Sequence, residues 1–133
     1  MSKTLPIALQ QWHQFVETKK PKILNDLLAE EAVFHSPVVF TPQKGKPITF
    51  MYLMAAIGLL NSSEQFQYNR TVVDGNTFVL EFTTELDGIT INGIDFITVN
   101  DDQKIIDFKV MVRPLKGMNK LHEKMAEALS RMK

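Results

Sequence analysis

The 133-residue chain carries 15 basic and 15 acidic residues, for a formal net charge of zero, and is 44% hydrophobic and 23% charged. That balance fits one globular domain over residues 1–133, not a disordered chain or two ordinary domains. It argues against a nucleic-acid partner, whose recognition needs a basic excess, and the absence of cysteine excludes disulfides, thiolate metal sites and cysteine nucleophiles.

The opening residues, MSKTLPIALQQWHQ, lack the apolar stretch and cleavage site of a signal peptide. No apolar run approaches the roughly 20 residues of a membrane span. A cytoplasmic protein without a membrane partner is therefore expected.

Leu5, Leu9, Trp12 and Val16 recur at helical spacing and predict a first helix ending near Lys19 and Lys20. Pro21 suits the first turn of a second helix, with Ile23, Leu24, Leu27 and Leu28 as its buried stripe. The run AVFHSPVVF reads as a short strand broken at Pro37, and PQKGKP as a loop. Pro47 begins a third helix with apolar positions Phe50, Met51, Met54, Ile57 and Leu60, ended by Asn61, Ser62 and Ser63.

From Glu64 the hydrophobic period becomes two. Four strands are expected, near 64–73, 77–86, 89–99 and 104–113. The turns between them are Asp74-Gly75-Asn76, Asp87-Gly88 and Asn100 to Gln103, and Pro114 marks the end of the sheet. A closing helix follows, with a stripe of Leu115, Met118, Leu121, Met125, Leu129 and Met132. Helices followed by strands imply an α+β fold with the helices covering one sheet face.

A type I′ turn at Asp87-Gly88 sets Leu86 opposite Ile89, Phe82 opposite Gly93 and Leu80 opposite Asp95. A four-residue loop from Asn100 to Gln103 then sets Val99 opposite Lys104, Ile97 opposite Ile106 and Asp95 opposite Phe108. One face is thus almost wholly apolar, including Phe82, Ile97, Phe108 and Val110, with Asp95 as its single charge. The other mixes Glu81, Glu85, Lys109 and Arg113 with Ile94, Phe96 and Met111. Such an apolar patch rimmed by charge predicts a homodimer through the outer sheet face.

A carboxylate on an apolar face is costly, and burial raises its pKa toward the range of a general base or acid. Asp95 is therefore the leading catalytic candidate, with His35 as its partner. Trp12, Tyr52, Phe82 and Phe108 are candidate ligand-binding residues in a small apolar pocket, and Arg113 could bind an anion at the sheet's end. His13 and His122 read as surface residues. Three scattered histidines make no metal signature, GKPIT lacks the upstream glycine of a phosphate loop, and Ser36 and Ser62 lack a nucleophile-elbow context, so no metal or cofactor is expected.

The helix and strand order, with the segments FHSPVVF, LEFTTELDG, INGIDFITV and KVMVRPL, resembles the nuclear-transport-factor-2-like superfamily, nearest its bacterial SnoaL-like group. The resemblance implies a cone-shaped α+β barrel with a deep pocket, usually dimeric. It also implies an enzyme such as an isomerase, cyclase or lyase, or a non-catalytic binding protein or interaction module. Its epoxide hydrolases keep an Arg two positions before the strand acid, where this chain has Gly93. Its isomerases keep a Tyr on helix one, where this chain has none.

Overall fold

The computed structural model describes residues 5–62 and 64–132. Four helices, α1 (Ile7–Thr18), α2 (Pro21–Leu27), α3 (Lys46–Leu60) and α4 (Leu115–Arg131), surround one sheet. Its strands are β1 (Leu28–His35), β2 (Gln43–Lys44), β3 (Gln67–Asp74), β4 (Thr77–Leu86), β5 (Ile89–Val99) and β6 (Ile105–Arg113), in the order β2-β1-β6-β5-β4-β3. The fold is α+β with a curved sheet, as its residue pattern predicts. The sheet is open, not a closed barrel, and it is mixed, because β1 runs parallel to β6. None of the described helices is long and apolar enough to cross a membrane.

Each element follows from local sequence, with instructive departures. Pro21 occupies the first turn of α2, but Leu28 is extended and begins β1 while remaining buried. The segment read as a loop contributes the short strand β2 and then Gly45, whose φ of 108° suits glycine and directs the chain into α3. In α3 the buried side chains are Thr49, Leu53, Ala55, Ala56, Ile57 and Leu60, whereas Phe50, Met51 and Met54 are only partly buried. That helix is apolar nearly all round, so spacing alone cannot say which face is covered. In α4, Gly117, Leu121 and Met125 are buried, while Leu115 and, just past the helix, Met132 are exposed. Ser63, expected at the end of α3, and residues 1–4 lie outside the described residues.

The β4–β5 register is the one expected, and Asp87 and Gly88 have the positive φ angles, 51° and 79°, of a type I′ turn. The β5–β6 register is displaced by two residues: Ile97 faces Phe108 and Asp95 faces Val110. Two one-residue departures add together. Val99 pairs with Ile105 across a five-residue loop, and a bulge then sets Thr98 opposite Asp107. Because the total is even, inward and outward faces are preserved from Asp107 onward. On the outer face Glu81, Ile94 and Met111 share one row, and Thr83, Asn92 and Arg113 another.

The inner face packs on the helices. Trp12, Phe15, Phe34, Phe78 and Phe108 are almost completely buried with Leu9, Leu24, Leu53 and Leu80 in one cluster. Phe82, Ile91, Leu60, Leu121 and Met125 form a second under α4. Burial of such side chains, each contributing about 1.5–3 kcal/mol, dominates the stability of the arrangement.

Candidate functional site

Between the two clusters lies a cavity of about 30 Å³. The sheet supplies Phe34, Asp95, Phe108 and Val110, α3 supplies Leu53, Ala56, Ile57 and Leu60, and α4 supplies Leu121 and Met125. The segment Ser36–Val38 borders it. Its volume matches one or two water molecules, well below the few hundred Å³ that a bound organic ligand fills. Admission of a ligand therefore requires displacement of a wall. Leu121 and Met125 of α4 and the Ser36–Val38 segment are the walls that neither the sheet nor α3 supplies.

Asp95 is the only ionisable residue lining this cavity among the described residues. Its side chain comes from the middle of β5, where the alternation of the strand turns it inward between Leu80 of β4 and Val110 of β6. It is 4% exposed. Burial pushes its carboxyl up to about 7, partly opposed by a hydrogen bond from Tyr68 that favours the ionised form.

The Tyr68 hydroxyl donates to Asp95 Oδ2 at 2.7 Å and accepts from the Trp12 indole Nε1–H at 2.9 Å. Burial, and then the charge of Asp95, raise the Tyr68 phenol well above its usual 10, so it remains a protonated donor near neutral pH. Asp95 Oδ1 has no hydrogen-bond partner among the described residues, yet no buried polar side-chain atom among them is left unpaired. Oδ1 is thus the carboxyl oxygen that meets the cavity.

Tyr68 reaches this position through a β-bulge. Counting back from Asp74, which pairs with Thr77, regular pairing would set Tyr68 opposite the outward-facing Thr83. The register shift between Tyr68 and Arg70 sets it opposite Phe82 instead, on the inner face. There its ring is held edge-on by Phe66, His13 and Phe82 at centroid distances of 5.2, 5.4 and 6.5 Å. His13, expected at the surface, is half-buried, and burial lowers its pKa.

The other candidates separate. Phe108 lines the cavity and packs against Trp12 at 4.9 Å. Trp12 stands behind Tyr68, Phe82 lies beside Tyr68, and Tyr52 stacks on Phe34 at 5.3 Å; none of these three lines the cavity. His35 is not brought to Asp95. Its Nε2 lies 2.8 Å from Asp107 Oδ1 and it borders a separate hollow with Phe40, Lys109 and Met111, because the inward side chain of this part of β1 is Phe34. Arg113 is exposed on the outer face and donates to Asn92 Oδ1 at 3.4 Å. Ser36 is the other polar side chain on the cavity. Its Oγ accepts from the Val38 N–H at 3.1 Å, and its own proton has no acceptor among the described residues.

Gly93 is sterically required. A Cβ there would lie 2.6 Å from both Met111 O and Phe82 Cζ, so an arginine two positions before Asp95 has no place. No group of three or more potential metal ligands occurs among the described residues.

The family model for the SnoaL-like domain matches residues 9–108, and the chain belongs to that family. Its fold is similar to that of a steroid delta-isomerase from Pseudomonas aeruginosa, with 34% identity, 98% of each chain covered and a TM-score of 0.89. A cystatin-like-fold protein from Silicibacter pomeroyi DSS-3 is 25% identical over 91% of this chain and 84% of its own, with a TM-score of 0.82. A protein from Jannaschia sp. CCS1 assigned as a SnoaL-like polyketide cyclase is 10% identical over 91% and 97%, with a TM-score of 0.68, and shows the fold alone. No curated protein matches the chain.

Proposed function

We propose that this protein isomerises a small, largely apolar carbonyl compound by moving a proton between two of its carbons. The observation that carries the reading is Asp95: one buried acid, poised near neutrality, with a single oxygen facing an otherwise apolar cavity. An isomerase needs one group that takes a proton and returns it. A hydrolase needs a second group to activate water or protonate a leaving group, and no second ionisable side chain lines the cavity among the described residues. The similarity to a steroid delta-isomerase supports the same choice.

In the proposed step, ionised Asp95 Oδ1 takes a proton from the carbon beside the carbonyl. The electron pair released from the C–H bond spreads over the conjugated system onto the carbonyl oxygen. The Oδ1–H then returns the proton to a more distant carbon, the double bond shifts, and Asp95 is ionised again. The Ser36 hydroxyl, with its proton uncommitted, is the donor available to the developing oxyanion. Small β,γ-unsaturated ketones, followed by ultraviolet absorbance as they become conjugated, test the reading. Wild-type turnover with a loss of roughly 10²–10⁴-fold in Asp95→Asn is expected, and unchanged turnover in that variant would refute it.

A second reading, binding without turnover, is favoured by the absence of a second ionisable side chain on the cavity among the described residues. It predicts that an apolar ligand stabilises wild type and Asp95→Asn alike, and that no candidate ketone is converted. Under either reading we propose that two copies pair through the outer sheet face. There Phe96 and Met111 are 36% and 49% exposed, and Val72, which faces the outward Val79, extends the apolar area onto β3.

A further inference from the structure

We propose that Trp12 is a positioning residue that fixes the direction of the Tyr68–Asp95 hydrogen bond, so that Asp95 carries its exchangeable proton on Oδ1, facing the cavity. This deepens the proposed proton transfer and rests on it for its catalytic meaning. The hydrogen-bond chain itself is independent of turnover.

Donor and acceptor capacity fix the direction of the chain. An indole N–H donates and cannot accept, so at the 2.9 Å Trp12–Tyr68 contact the phenol oxygen must be the acceptor. A phenol has one proton. With an N–H already directed at its oxygen, that proton turns to the only other polar partner in reach among the described residues, Asp95 Oδ2 at 2.7 Å. Oδ2 is therefore an acceptor in both charge states of Asp95. When the carboxyl is neutral, its proton sits on Oδ1.

The reversed chain, with Oδ2–H donating to Tyr68, would leave the phenol proton pointing at the indole N–H. No other acceptor is available to it among the described residues. Without Trp12 that reversal becomes open. The consequence is a site in which one oxygen both takes and releases the proton, while Tyr68 only polarises. A neutral ligand with an accepting oxygen is thus met by Oδ1–H at low pH, and a donor is met by the bare oxygen at high pH.

The chain holds a single tryptophan, so its indole N–H gives one unambiguous NMR signal. In the unmodified protein that signal should titrate at the midpoint of the Asp95 side-chain carboxyl carbon, near pH 7, and not at the lowered midpoint of His13, whose ring lies edge-on to Tyr68. An indole resonance that stays flat while Asp95 titrates would overturn the proposal. Tyr68→Phe should raise the Asp95 midpoint by about one to two pH units, and Trp12→Phe by a few tenths.

The deciding comparison is the double variant. Acting only through Tyr68, Trp12→Phe must have no effect in the Tyr68→Phe background, whereas a merely structural Trp12 would move the midpoint in both. If these titrations behave as expected but no ketone is converted, the proton-transfer reading fails and the chain stands. If turnover is found and the indole is silent, the reverse holds.

Discussion

Tyr68 and Asp95, 27 residues apart in the chain, meet at 2.7 Å because β3 is bulged just after Tyr68. The bulge turns a side chain that regular pairing would send to solvent into the donor for the buried acid. It is a one-residue change in backbone register that creates the polar centre of the site.

The same burial that prepares Asp95 for proton transfer costs stability wherever the unfolded carboxyl would be ionised. The folded-state pKa, about 7, lies above the ordinary 3.8, so between those values the native state holds a proton that the unfolded state has lost. Stability from this group is complete below pH 3.8 and is lost progressively up to about pH 7. The gap corresponds to at most about 4 kcal/mol. Asp95→Asn keeps an acceptor for Tyr68 and removes the titration. Urea unfolding should find the variant more stable than wild type at pH 8, with the difference shrinking toward pH 4. A pH-independent difference would show that Asp95 is not buried as described.

A pH–rate profile should carry the same signature. If ionised Asp95 takes the proton, kcat/KM rises with pH through a midpoint near 7 and then levels. Tyr68 favours the charged form, so Tyr68→Phe should displace the rising limb to higher pH without removing it. A falling limb across this range would instead mean that the protonated acid acts first.

Much of this is legible in the residues themselves. The alternation of β4 and β5 and the Asp-Gly turn place Asp95 on the apolar face, and that needs only correct parity. Tyr68 is not legible, since a bulge is set by backbone pairing and side-chain packing that no period-two pattern encodes. Nor is the position of His35 beyond its strand, because a parallel partner, Lys109 of β6, fixes where that strand lies. The β6 register expected from a four-residue loop is two residues off and still gives the right faces from Asp107 onward, since two single-residue departures cancel in parity. The covered face of α3 stays hidden because its helix offers apolar residues in every direction.

The cavity should respond to its α4 wall. Leu121 and Met125 are 3% and 9% exposed, and truncating either to Ala should lower stability by about 2–5 kcal/mol while enlarging the cavity. The enlarged form should bind a small apolar probe such as phenol more tightly, recovering part of the lost Tm. Calorimetry in which neither variant gains affinity would show that α4 does not limit access.

The outer face offers a test of assembly. Met111 shares a row with Ile94 and Glu81, and Phe96 flanks that row. Met111→Glu would place a charge in the middle of this patch, where a buried partner surface could not solvate it. Sedimentation at micromolar concentration should show a wild-type dimer and a folded, monomeric variant. A wild-type monomer would remove the proposed interface.

Gly93 and Gly58 should give opposite results on replacement by alanine. At Gly93 a methyl group would meet a backbone oxygen and the fully buried Phe82 ring, both at 2.6 Å. Such overpacking costs about 1–3 kcal/mol or more, and Phe82 is packed against Phe66 and Tyr68, whose rings lie 5.6 and 6.5 Å away. Gly93→Ala should therefore lower Tm and also raise the Asp95 midpoint, as removal of the Tyr68 hydroxyl does. Gly58 is exposed on α3, with nothing within 4 Å of where a methyl group would sit, so Gly58→Ala should stabilise by about 0.5–1 kcal/mol and leave Asp95 unaffected. A Gly93→Ala protein with wild-type Tm and an unmoved Asp95 midpoint would contradict the packing that holds Tyr68 against the acid.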